Sequence, residues 1–73
     1  MQEPANPVAL QKELADRVWQ RTGRRIRNLS IELRPDGIVL HGKAPTYHVK
    51  QLAQQGVRDL LPQVDLFNAI VVG

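Results

Sequence analysis

The 73-residue chain predicts a small α+β domain, an αββαβ two-layer sandwich with two helices packed on one face of a three-stranded sheet. Three observations carry this reading. Two segments place apolar residues at helical spacing. Between them lies an alternating stretch broken by Pro35-Asp36-Gly37. A last alternating apolar stretch follows Pro62.

Residues 1–6 are polar, contain Pro4, and are expected to form a lead-in; residues 7–73 form the domain. Asn6-Pro7 reads as a helix start, because Asn supplies a capping oxygen and Pro suits the first helical position. From Val8 to about Thr22, Leu10, Leu14 and Val18 form one row, with Ala15 and Trp19 beside it. Gly23 is the expected stop.

The period then falls to two. Leu29, Ile31 and Leu33 alternate with Asn28, Ser30, Glu32 and Arg34, as in a strand buried on one face. Pro35-Asp36-Gly37 reverses the chain, and Ile38 to His41 returns as a second strand that Gly42 is expected to end. Residues 45–61 carry the clearest helical pattern: Val49, Leu52, Ala53, Val57 and Leu60, with Thr46 as cap and Pro62 as stop. Gly56 lies inside that stripe and implies that this helix's backbone comes close to the sheet. Val64 to Val72 supplies the last strand. The expected core is Leu14, Val18, Leu29, Ile31, Leu33, Ile38, Leu40, Val49, Leu52, Ala53, Val57, Leu60, Ile70 and Val72.

The chain has no cysteine, so disulfides, thiol nucleophiles and thiolate metal sites are excluded. Its net charge of +3 favours anionic partners. His41 and His48 are read as surface residues, and no paired carboxylates or Ser-His-Asp pattern stands out. No glycine-rich phosphate loop opens a helix. An enzyme is therefore not expected, and no cofactor or metal is assigned. No apolar run is long enough to span a bilayer. Read as a complete chain, the protein is expected in the cytoplasm; as a piece of a longer one, at the envelope.

Two surfaces are candidates for binding. Arg21, Arg24, Arg25, Arg27 and Arg34 gather near the end of the first helix and the first strand, and guanidinium forks suit phosphates. On the sheet face without helices, Val39, His41, Phe67, Ala69 and Val71 are expected to project, an apolar patch fit for a partner or a second copy of the chain.

The run Asp36-Gly37-Ile38-Val39-Leu40-His41-Gly42 resembles the hairpin of BON domains, modules of bacterial osmotic-shock and nodulation proteins. Lys50-Gln51-Leu52-Ala53 and Val64 to Val72, with Asn68 before Ile70, are similar to that family's second helix and last strand. Gln63 departs from the glycine the family carries there. The resemblance spans residues 8–72 and implies a non-catalytic module that contacts protein partners or anionic phospholipid surfaces. A nucleic-acid-binding module of KH-like layout is the alternative; it lacks the Gly-x-x-Gly loop and is short of stacking aromatics.

Overall fold

In the computed structural model, which describes residues 7–73, the N-terminal apolar stripe is α1, Pro7–Thr22. The lead-in expected over residues 1–6, with its Asn6 cap, lies outside the described residues. The helix closes in a Schellman turn: Gly23 and Arg24 are both left-handed, with φ of 64° and 61°, and the Arg24 N–H donates to the Trp19 carbonyl at 3.1 Å. Thr22 is fully buried at this end, and its hydroxyl is satisfied by the Val18 carbonyl at 2.8 Å.

Strands β1 (Arg27–Arg34) and β2 (Gly37–Ala44) form the predicted antiparallel hairpin, with Ile31 opposite Leu40 and Leu33 opposite Ile38. A bulge between Arg27 and Ser30 contains Asn28 at φ 55°. Contrary to expectation, β2 does not end at Gly42. Pairing of Lys43 with Arg27 on one side and with Val71 on the other carries it to Ala44.

Helix α2, Tyr47–Leu60, is capped as expected: the Thr46 hydroxyl accepts from the Val49 N–H at 3.2 Å. The last strand is shorter than predicted and interrupted. Leu66–Asn68 (β3) and Val71–Val72 (β4) both run parallel to the central β2. Asn68 sits at the break. Its carboxamide oxygen accepts the Ile70 N–H at 3.1 Å, its NH2 donates to the Lys50 carbonyl at 3.0 Å, and the bonding to β2 continues through the Ala69 N–H to the Leu40 carbonyl at 2.9 Å.

Both helices cover one face of the mixed sheet, and the class is α+β as predicted. The core joins Leu14 and Val18 to Ile31, Ile38, Leu40, Val49, Ala53, Val57 and Ile70. Leu29, Leu33 and Leu60 pack against it only partly buried. Ala44 joins it because β2 runs on past Gly42, and Ile26 joins it from the link just before β1. Two expected members do not. Leu52 sits on the shoulder of the α2 stripe at about 100° per residue, half-buried. Val72 pairs with Ala44 at the end of the sheet and stays 41% exposed. Gly56 is buried, but against α1 and not the sheet, because the two helices pack directly on each other.

Candidate anion-binding surface

The arginines that lie together in sequence separate in three directions. Arg21 belongs to the helix pair. Its Nε and Nη2 donate to the two carboxylate oxygens of Asp59 in α2, both at 2.7 Å, and Arg17 Nη1 adds a third bond at 3.2 Å. This fork-on-fork geometry holds the Asp59 carboxyl below its ordinary value, chiefly through the Arg21 hydrogen bonds, and holds Arg21 above its own. Arg21 is thereby committed to tying α1 to α2.

Arg34 lies at the far end of β1, about 23 Å along the strand from Arg27 at ordinary strand rise. Its Nε donates to Glu32 Oε2 at 2.8 Å, and His41 Nε2 lies 3.0 Å from Glu32 Oε1. Glu32 is held below its ordinary value by Arg34 first and His41 second. These three side chains form a charged row along the sheet face without helices.

Arg24, Arg25 and Arg27 remain together. With Lys43 they line a recess of about 390 Å³, closed by Ala44, Pro45 and Gly73, where β1 begins and β2 ends. Among the described residues, no carboxylate pairs with any of these four cations. Arg25 Nε donates to the Thr22 carbonyl at 3.0 Å, which fixes its stem at the wall of the recess. The Arg24 guanidinium carbon stands over the Trp19 ring, 5.9 Å from its centroid. Four unneutralised cations around one concavity can bind a phosphate or a row of them, since each guanidinium presents paired donors.

Lys43 was not legible as part of this group. Its signal is the β2 alternation of Val39, His41 and Lys43, which shows only once the strand is carried past Gly42. Exposed apolar side chains neighbour the recess in register and sequence. Val71 pairs with Lys43 and is 60% exposed, Val72 pairs with Ala44, and Tyr47 follows Pro45 by two residues and is 62% exposed.

On the uncovered sheet face, Phe67 stands 66% exposed, with Ala69 half-buried and Val71 exposed along the same edge. Val39 differs from expectation. It faces this side yet is 9% exposed, because its register neighbours Glu32 and Phe67 flank it on both sides. Among the described residues no group of His, Asp and Glu could hold a metal ion, and no helix is long and apolar enough to cross a membrane.

No family model matches the chain, and no curated protein or solved structure shows significant similarity to it.

Proposed function

We propose that this chain is a non-catalytic binding module of BON type that docks on anionic phospholipid surfaces through the recess of Arg24, Arg25, Arg27 and Lys43. One observation carries the reading: these four cations, none paired with a carboxylate among the described residues, share one end of the domain with exposed Val71, Val72 and Tyr47. Cations attract headgroup phosphates while short apolar side chains and a tyrosine suit the adjoining interface. A nucleic-acid groove would instead place stacking aromatics along the basic track. Here Tyr47 is the one largely exposed ring beside the recess among the described residues, and Phe67 lies on another part of the sheet, level with Val39, so no row of rings follows the cations.

The test is co-sedimentation with phosphatidylcholine vesicles with and without phosphatidylglycerol, at two ionic strengths, beside titration with single-stranded RNA. Binding to the anionic vesicles alone, falling with salt, is the expected result. Each basic residue near such a surface is worth about 1 kcal/mol, so Arg25→Glu/Lys43→Glu should weaken partition by roughly 30-fold or more. Tighter binding of RNA than of vesicles would overturn the reading in favour of nucleic acid.

A second reading attaches to the uncovered sheet face, where Phe67 is 66% exposed: a second copy of the chain packs there. Sedimentation velocity decides it. The parent should run as a dimer and Phe67→Glu as a monomer; a monomeric parent removes this reading.

A further inference from the structure

We propose that Arg24 is the residue that grips the phosphate in this recess, and that it stands there at a cost in stability. The inference rests on the recess being the binding surface. Apart from glycine, only Arg24 and Asn28 among the described residues have positive φ, at 61° and 55°. Asparagine tolerates the left-handed region because its short side chain bonds locally; an arginine there crowds its Cβ against the backbone without that local bond. The Schellman turn itself asks only for a backbone N–H at this position, the one that reaches the Trp19 carbonyl at 3.1 Å. Glycine or asparagine would supply that N–H without strain. Residues held in sparsely populated backbone regions concentrate where a side chain must be delivered to a ligand.

The delivery is visible. From this left-handed turn Arg24 lines the recess beside Arg25, Arg27 and Lys43. The Trp19 ring beneath it, 5.9 Å away, limits its wandering without neutralising its charge. A guanidinium resting on a ring keeps its edge donors free, which is the arrangement that receives two oxygens of one phosphate.

The experiment compares melting temperature and partition onto phosphatidylglycerol-containing vesicles for the parent, Arg24→Gly, Arg24→Lys and Asn28→Gly. Arg24→Gly should melt at or above the parent temperature, by up to about 5 °C, and lose about tenfold in partition. Arg24→Lys keeps the charge but not the fork, and should lose several-fold. Asn28→Gly relieves the other left-handed residue and should leave partition unchanged, which separates binding from stability. If the parent binds and Arg24→Gly binds equally, the assignment of Arg24 fails while the recess stands. Binding by Arg24→Lys equal to the parent reduces Arg24 to one charge among four and overturns the proposal. A fall in melting temperature for Arg24→Gly means the arginine is kept for its ring contact, and overturns it too. A parent that does not partition removes both this proposal and the reading beneath it.

Discussion

A Cβ built on Gly56 in α2 would stand 3.0 Å from the Cα of Val18 in α1, with the Val18 nitrogen at 3.1 Å and the Arg17 carbonyl oxygen at 3.2 Å. All three neighbours are backbone atoms of a packed helix, so none can swing aside as a side-chain tip would. The glycine sets the distance between the helices, and thereby brings Asp59, one turn on, within reach of Arg17 and Arg21.

Alanine at 56 should therefore destabilise the domain despite its better helix propensity. Propensity favours Ala by about 1 kcal/mol, whereas forcing a methyl into a tight backbone contact costs about 1–3 kcal/mol. Gly56→Ala is expected to lose about 1 kcal/mol in urea unfolding, and Gly56→Leu several times that. A more stable Gly56→Ala would show that the helices part without penalty.

The Arg21–Asp59 pair makes a prediction about pH. The folded Asp59 carboxyl is held below its unfolded value, chiefly by the Arg21 hydrogen bonds. A carboxyl of that kind contributes stability above its unfolded pKa, and the contribution disappears as pH falls through the folded one. Asp59→Asn should thus melt below the parent at neutral pH, and the two curves should converge at pH values below about 4. Glu32, also depressed, lies in a separate cluster and titrates alike in both proteins, so it drops out of the difference. A gap that stayed constant down to acid pH would mean the loss is one of packing.

Asn68 joins three parts of the chain: it receives the Ile70 N–H and gives its own donors to the Lys50 carbonyl and, at 3.4 Å, to Gln54. Asn68→Ala leaves the part-buried Ile70 N–H without its partner and takes a second donor from the Lys50 carbonyl, at an expected cost of about 2 kcal/mol. Amide exchange should locate the damage, with the Ile70 N–H losing protection and the β1–β2 ladder keeping it. Uniform loss across the sheet would show that Asn68 supports more than the strand break.

Much of this fold is legible from periodicity alone, because the signals are local: the two helical stripes, the Pro35-Asp36-Gly37 reversal and the Thr46 cap each depend on neighbours in sequence. What the residues do not disclose is non-local. Arg21 looks like a member of the basic group until Asp59, thirty-eight positions away, claims it. Lys43 looks like loop until two strands pair with it, Arg27 from one side and Val71 from the other. Val39 reads as projecting until register sets Glu32 and Phe67 on either side of it. The candidate site was thus half visible: the arginines were identified, but which of them are spent on structure depends on carboxylates the sequence places elsewhere.

The revised core gives the last prediction, because it reverses the rank of residues that look equivalent in sequence. Leu40 and Val72 both read as core members on the helix-facing side of the sheet, yet Leu40 is fully buried in the central strand and Val72 is 41% exposed at its end. A buried Leu→Ala typically costs about 2–5 kcal/mol through lost transfer energy and the cavity left behind. At roughly 0.05–0.15 kcal/mol per residue, a domain of this size holds only about 4–11 kcal/mol in all. Leu40→Ala should therefore remove a large share of that stability, seen as a strongly lowered urea midpoint. Val72→Ala removes methyls that water already reaches and should shift stability by about 0.5 kcal/mol. Comparable losses for the two would mean that the end of the sheet is covered in solution, and the exposed apolar side chains beside the basic recess would then be unavailable to a membrane surface.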